Sequence, residues 1–426
     1  MKRPGALLEL YRRLSPTIAM LVPFLAKYSV KLQKATDGIA SQRKQIAADS
    51  QSLHNCIWFH AASVGEYEQA RPVIAELKRT ESRPVVVTHF SSSGYEFAQN
   101  NPAGDKHYYL PLDTPTNMKQ LVELLNPSVL VFAKYDCWPN LILEAEASAV
   151  PVLLISGTLP ETAARLNKVS LPLMRDIFNR FSEIGVCSQN DADRFTKIMG
   201  VTAKVTVTGD TRAEQVLKRF NDSADGPTVE ILKNFGKQTL VLGSSWQPAY
   251  DLWFPVFPKL LSNNPELKII IVPHEPTAEQ IDYLVQHLDI KLNIPVTTLS
   301  EFKNDGIGKQ ITVVDSIGLL AEIYHCATIA YVGGGFTTGV HSTLEPAANK
   351  IPVLFGPKIE NAEEAGEMVD SGGGFILDKG NIFEIVHDLL NDDQKRNQSG
   401  KAAYSVLDSR TGSVSKSVTM IKSYLA

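Results

Sequence analysis

The 426-residue chain has only four cysteines, Cys56, Cys137, Cys187 and Cys326. They are too few and too scattered for a disulfide framework or a zinc site, and read as buried thiols of a reducing compartment. Strong charge of either sign is also missing. Forty-six acids face 42 bases, a net −4, which argues against a general nucleic-acid binder. No apolar run reaches the roughly 20 residues needed to span a bilayer. The nine histidines show no metal-ligand spacing, so no metal is expected. No GxSxG, Walker or GxGxxG motif appears. What remains is an ordinary globular composition, 44% hydrophobic and 21% charged, long enough for two or three domains at roughly 150 residues each.

Residues 1–50 differ from the rest. They hold nine bases and three acids, net +6, around an apolar stretch from Ile18 to Ala26. No small-residue cleavage site follows, which speaks against a removed signal peptide. Two readings stand: a basic amphipathic helix lying on an anionic membrane surface, or a surface helix packed on the body of the protein.

Past residue 50, short β-rich runs alternate with longer helical patterns. The first set is Cys56–His60, Val85–His89, Lys106–Leu110, Val129–Ala133, Val152–Ser156, Glu183–Cys187 and Lys204–Thr208. The second is Thr239–Ser244, Lys268–Val272, Gln310–Asp315, Thr328–Val332, Ile351–Phe355 and Gly374–Leu377. Several are nearly continuous Val/Ile/Leu, as in parallel strands buried on both faces. Helical segments such as Tyr67–Thr80 and Thr116–Leu125 supply the crossovers. The fold class is α/β: two Rossmann-like, doubly wound domains facing across a cleft. The expected boundaries are a helical segment at 1–50, a first domain at 51–219, a linker at 220–238, a second domain at 239–410, and a final helix at 411–426 that crosses back to the first domain.

In such folds ligands bind beyond the carboxyl ends of the strands, and the loops there carry the candidates. In His60-Ala-Ala-Ser-Val-Gly-Glu66, Glu66 sits at a helix N-terminus. It either acts as a general base or only stabilises the first helical turn. In Ala133-Lys-Tyr-Asp-Cys-Trp-Pro-Asn140, Asp136 is a polar group beside an apolar wall, a helix cap, or both. Arg212, in Gly209-Asp-Thr-Arg212, either faces an anionic donor or pairs with a surface carboxylate. In Asp315-Ser-Ile-Gly-Leu-Leu320, an Asp/Ser cap would leave the N–H groups of Ile317, Gly318 and Leu319 as a phosphate seat, or simply start a helix. The glycines of Gly333-Gly-Gly335 let a ligand approach the backbone, and Glu345 beyond them can accept two hydrogen bonds from a ribose diol. Ser244 and Ser245 with Trp246, and Pro273 with His274, also follow strands; a lone His is as readily structural.

Several of these segments together resemble one family, the Kdo transferases, which move 3-deoxy-D-manno-octulosonic acid (Kdo) from CMP-Kdo to lipid A precursors. The resemblance runs from about residue 55 to 400. It rests on Ser63-Val-Gly-Glu66, Tyr109-Leu-Pro-Leu-Asp113, Trp138-Pro-Asn140, Tyr331-Val-Gly-Gly334, Leu344-Glu-Pro-Ala-Ala348 and Pro352-Val-Leu-Phe-Gly-Pro357. It implies a GT-B fold, an N-terminal membrane-associated segment, no cofactor or metal, and inversion at the anomeric carbon. By the same resemblance Glu66 falls on the catalytic base, Asp136 where the family has Glu, and Arg212 where a Lys is common. Lys134 replaces a further Glu. Pro273-His274 matches a Pro-Arg-His segment that contacts CMP, without its Arg. Ile317-Gly318-Leu319 matches a Met-Gly-Glu segment whose backbone holds CMP. Ser342-Thr343-Leu344-Glu345 matches Asn-x-Leu-Glu; Gly334 and Gly335 join Ser244 and Ser245 as further donor-loop candidates. The implied partners are CMP-Kdo, a lipid A precursor and a membrane surface, with no nucleic acid; the implied location is the cytoplasmic face of a bacterial inner membrane. Two other functions share the two-lobed plan: a glycosyltransferase or epimerase acting on a UDP-sugar, and a solute-binding protein.

Overall fold

The computed structural model describes residues 3–425 apart from Tyr135, Glu161, Thr162, Asn234 and Ile307. The chain divides into two compact units: one built from the chain up to Gln215 together with the stretch from Arg410 onward, the other from Val216 to Ser409.

The first unit holds seven strands, β1 (Ile57–His60), β2 (Val85–His89), β3 (Lys106–Tyr109), β4 (Val129–Ala133), β5 (Val152–Gly157), β6 (Glu183–Val186) and β7 (Lys204–Val207). All pair in parallel, in the order β3-β2-β1-β4-β5-β6-β7. The apolar runs are explained by two covered faces. Trp58, Val86, Leu130, Phe132 and Leu154 enter one core, while Ile57, Phe59, Val85, Val87, Val131 and Leu153 enter the other. Successive side chains alternate between faces, so a strand covered on both sides is apolar at every position.

Residues 3–50 fall within the first unit. They form two helices, Ala6–Ala26 and Val30–Asp49, and Leu8 and Ile46 are buried in the first of these cores. Tyr11 donates to Asp113 Oδ2 (2.9 Å), Arg12 to Glu144 Oε1 (2.7 Å), and Ser15 Oγ accepts from Asn140 Nδ2 (3.0 Å). One side of the first helix is thus bound to the body. The other leaves Leu10, Leu14, Ile18, Leu21, Phe24 and Leu25 exposed. Lys2 lies outside the described residues. The final helix, Ser413–Lys422, lies in the first unit, with Val418, Met420 and Ile421 in the second core beside the helix Val64–Thr80.

The second unit repeats the plan with β8 (Gln238–Ser245), β9 (Leu267–Pro273), β10 (Val296–Thr298), β11 (Ile311–Val313), β12 (Ile329–Val332), β13 (Val353–Phe355) and β14 (Gly374–Ile376), all parallel, in the order β10-β11-β9-β8-β12-β13-β14. Leu240, Leu242, Ile269 and Ile271 enter one core and Val241, Ile270 and Val272 the other. The expected linker at 220–238 is a correction. It contains the end of the helix Arg212–Ser223, within which the unit boundary falls, and a further helix, Pro227–Leu232. Leu232 and Phe235 are buried in the second unit's core. The polar run from Asn221 is a helix end and turn with Pro227 in the next helix's first turn, a position that suits its fixed φ.

Candidate functional site

Strand order reverses at β1 in the first unit, which lies between β2 and β4. The loops beyond β1 and β4 therefore meet at the switch point where α/β folds bind ligands. Glu66 lies there, in the first turn of the helix Val64–Thr80 and 5% exposed. Its Oε2 accepts from the Ser63 N–H (2.6 Å) and from Ser63 Oγ (2.5 Å), and Ser63 Oγ in turn accepts from the Glu66 N–H (3.5 Å). This is a capping box, so the helix-stabilising role is present. It engages one carboxylate oxygen only. Oε1 has no recorded partner among the described residues.

From the β4 side comes Asp136. Trp138 Nε1 donates to its Oδ2 (2.7 Å), the Cys137 N–H reaches its Oδ1 (3.1 Å), and His60 Nε2 stands 3.3 Å from Oδ2. Burial alone would raise this carboxyl's pKa; the His60 and Trp138 donors and the nearby Arg165 outweigh it and hold the pKa below the usual range. Asp136 does not cap the following helix. The N-cap of Pro139–Ala147 is Trp138, whose side chain makes no capping bond. The free N–H groups of Asn140 and Leu141 go to the Asp113 carboxylate (3.1 and 3.0 Å). Asp113 thus joins Tyr109–Asp113 to Trp138–Asn140, a link between two segments far apart in sequence. Burial raises its pKa, with Asn140 and Tyr11 opposing.

Arg212 opens the helix that leaves β7. Its Nε and Nη2 hold Asp210 Oδ2 (2.8 and 2.6 Å), and its N–H holds Oδ1 (3.0 Å). Its partner is a buried carboxylate rather than a surface one. Burial pushes the Asp210 pKa up, but the Arg212 cation prevails and lowers it. Lys134 lies close by. Burial and then Arg212 lower its pKa, against the opposing pull of Glu66 and Asp210. The structure so gathers Glu66, Lys134, Asp210 and Arg212 into one charged cluster. Lys134 and Asp210 were not singled out as site residues from sequence.

In the second unit the order reverses at β8, between β9 and β12. Here Trp246, His274 and His341 form a flat stack: Trp246 to His274 at 4.3 Å and His274 to His341 at 4.7 Å between ring centres. Trp246 Nε1 donates to His341 Nε2 (3.0 Å), and burial, then His274, keeps the His341 pKa low. His341 is not among the candidates drawn from the sequence. His274 is exposed and Pro273 buried. Ser244 has a left-handed φ of 48°. Ser245 is buried, its hydroxyl bonded to Tyr250 (2.9 Å), and does not face outward.

The glycine run is explained by close backbone approach. A Cβ on Gly333 would lie 1.9 Å from Ser244 O, and Gly334 has φ 92°. Gly333→Ala is expected to lower the melting temperature clearly in a thermal scan, because the clash is with backbone; an unchanged value would show that the β8 and β12 loops are not held together here.

The helix after β11 starts later than expected, at Leu320, with Leu319 as an N-cap lacking a side-chain bond. The Asp315/Ser316 cap is therefore a correction: Asp315 Oδ1 accepts the Ser300 N–H instead (3.3 Å). The N–H groups of Ile317, Gly318 and Leu319 have no partner among the described residues, and Ile317 is 81% exposed. Ser342 precedes Thr343, which is fully buried with an unpartnered hydroxyl. The Leu344 side chain is buried. Glu345 accepts from Arg219 (3.2 Å); burial raises its pKa, and Arg219 opposes this. Gly335 packs against the Gly356 backbone. No group of three or more His, Cys, Asp or Glu among the described residues is placed to hold a metal ion.

Residues 38–215 match the model of the 3-deoxy-D-manno-octulosonic-acid transferase (kdotransferase) family. A 3-deoxy-D-manno-octulosonic acid transferase from Chlamydophila psittaci is 30% identical over 346 residues, covering 80% of this chain and 78% of the relative. A UDP-GlcNAc 2-epimerase structure from Neisseria meningitidis superposes with a TM-score of 0.61 at 14% identity, over 87% of this chain and 99% of the other. A glycosyltransferase structure from Rickettsia africae gives 0.58 at 11%, over 87% and 99%. These two show the fold alone, the two-unit GT-B plan. The family model and the C. psittaci relative go further: the chain belongs to the Kdo transferase family.

Proposed function

We propose that the protein transfers Kdo from CMP-Kdo to a lipid A precursor with inversion at the anomeric carbon, and that Glu66 is the general base. The supporting observation is the half-engaged Glu66 carboxylate at the first unit's switch point. Its Oε2 is anchored by Ser63, and its Oε1 is open to a substrate proton. In the reaction, an acceptor hydroxyl gives its proton to Oε1 as its oxygen bonds to the anomeric carbon. The bond to the phosphate oxygen breaks, and CMP leaves with the electron pair. Positive charge developing on the sugar and negative charge on the leaving phosphate both need fixed dipoles and charges. Asp136 and the Lys134/Arg212 cluster supply them from the first unit. In the second unit, the N–H groups of 317–319 suit the phosphate, Glu345 the ribose diol, and the exposed His274 face the base.

Incubation with CMP-Kdo and a tetraacyl lipid A precursor should give an acceptor heavier by Kdo in a mass spectrum. No product, or calorimetric preference for UDP over CMP, would overturn the reading in favour of a UDP-sugar enzyme. Glu345→Ala is expected to weaken CMP binding by roughly 1.5–3 kcal/mol, the worth of a hydrogen bond to a charged group. Unchanged CMP affinity in a folded variant would remove Glu345 from the donor site.

We place the protein at the cytoplasmic face of a bacterial inner membrane, held by its N-terminal helix. No helix among the described residues is long and apolar enough to cross a membrane. What supports surface attachment is the exposed apolar side of Ala6–Ala26, bordered by Arg13 and Lys27.

A further inference from the structure

A buried line of side chains in the first unit ends on Asp136. Trp58 Nε1 donates to Thr88 Oγ1 (2.9 Å), and Thr88 Oγ1 stands 2.9 Å from His60 Nδ1. His60 Nε2 lies 3.3 Å from Asp136 Oδ2, off the line of a full hydrogen bond, with no other partner. Trp138 Nε1 donates to the same carboxylate oxygen. The imidazole is fully buried and held edge-on by Phe132 and Trp138, at 5.8 and 5.5 Å between ring centres.

Counting protons along this line selects one tautomer. The Trp58 N–H can only donate, so it occupies a lone pair of Thr88. The Thr88 O–H has two acceptors to choose from: His60 Nδ1 at 2.9 Å or Phe59 O at 3.4 Å. With the imidazole proton on Nδ1, the Nε2 lone pair would face the Asp136 carboxylate, and the Thr88 O–H would be left with the longer bond. With the proton on Nε2, the Trp58 N–H and the Thr88 O–H each meet an acceptor at 2.9 Å, and the Nε2 proton rather than a lone pair faces the Asp136 carboxylate.

We propose that His60 is a positioning residue for Asp136, fixed by Trp58 and Thr88 as the neutral tautomer with its proton on Nε2. The Trp138 N–H then donates to Oδ2, the His60 Nε2 N–H faces the same oxygen at 3.3 Å, and Oδ1 accepts the Cys137 N–H. The inference rests on the reading that Asp136 takes part in transfer. Other charged and titratable groups around the pair are Arg165 and Cys137 near Asp136, and Asp113 and His89 near His60.

The test uses the full chain labelled with ¹⁵N-histidine, and His60→Gln to assign the signal. Long-range ¹H–¹⁵N correlations at neutral pH should show His60 protonated at Nε2 only. Thr88→Val, close in shape but without the hydroxyl, should mix the tautomers, and Thr88→Ser should restore the single form. A proton on Nδ1, or on both nitrogens, in the unmodified protein overturns the proposal. In kinetics, His60→Ala should lower kcat about tenfold, the usual size for losing an orienting partner, with KM for CMP-Kdo unchanged. The acid limb of its pH–rate profile should move to higher pH, because a carboxylate that loses a donor becomes easier to protonate. His60→Gln, whose amide can donate from the Nε2 position, should recover most of the rate. An unmoved profile, or a glutamine variant no better than alanine, overturns the positioning role. Should the unmodified chain transfer no Kdo, the transferase reading fails, and the tautomer measurement still decides the state of His60.

Discussion

Glu66→Gln is expected to lower kcat for Kdo transfer by about 10²–10⁴-fold, the range of general-base contributions, and to leave CMP affinity and melting temperature unchanged. The choice of glutamine follows from the two duties the structure gives this side chain. As the third residue of a capping box, Glu66 accepts the Ser63 N–H on Oε2. Glutamine serves at that position equally well, since its amide oxygen accepts the same bond. As a base, Glu66 must take a proton on Oε1, where glutamine carries an NH₂ that cannot. The substitution therefore removes basicity and keeps the helix start. CMP binding should survive because every donor-loop candidate lies in the second unit, beyond Val216. Release of CMP in the presence of acceptor gives the rate, calorimetry the affinity, and a thermal scan the fold. Near-normal turnover would leave Glu66 as a cap alone.

The strands were legible in the sequence because both faces of each sheet are covered, which makes residues such as Val85–Val87 and Val129–Ala133 apolar without a break. The strand that escaped notice, Val296–Thr298, is three residues long and follows Pro295, too short for a periodic signal. Glu66, Asp136 and Arg212 were legible as chemistry-bearing residues just past strands. Their partners were not. His60 meets Asp136 and Glu66 approaches Lys134 because β1 lies next to β4, while Asp113, beyond the edge strand β3, meets Asn140. That adjacency is a property of strand order, which sequence spacing does not carry. The Asp315/Ser316 cap failed for a local reason. Residues 316–318 form bends before the helix begins, with Gly318 at φ 85°, and Asp315 turns to Ser300 instead.

Replacing Leu21, Phe24 and Leu25 together with glutamine should reduce binding to anionic vesicles on the order of 10²-fold or more. Fully burying one such apolar side chain is worth about 1.5–3 kcal/mol, and these three are 56%, 63% and 58% exposed. They are free to enter a lipid surface without unpacking the protein. Deleting residues 1–34 would be a poorer test. It would remove Leu8 from a core and the Tyr11–Asp113 and Arg12–Glu144 contacts, each a partner of a buried carboxylate, so lost binding could not be told from lost structure. The triple variant touches none of these. Replacing Arg13 and Lys27 with glutamine should act differently. Each base near an anionic surface contributes about 1 kcal/mol, screened by salt, so that variant should bind more weakly at low salt and show a shallower salt dependence. Arg13 also pairs with Glu9 (2.8 Å), which makes its share the smaller of the two. Sedimentation with vesicles of mixed neutral and anionic lipid reads both effects, and CMP affinity serves as the control for an intact second unit. If the triple variant sediments as the unmodified chain does, the apolar side of this helix is not the membrane contact, and attachment must run through other surfaces of the first unit.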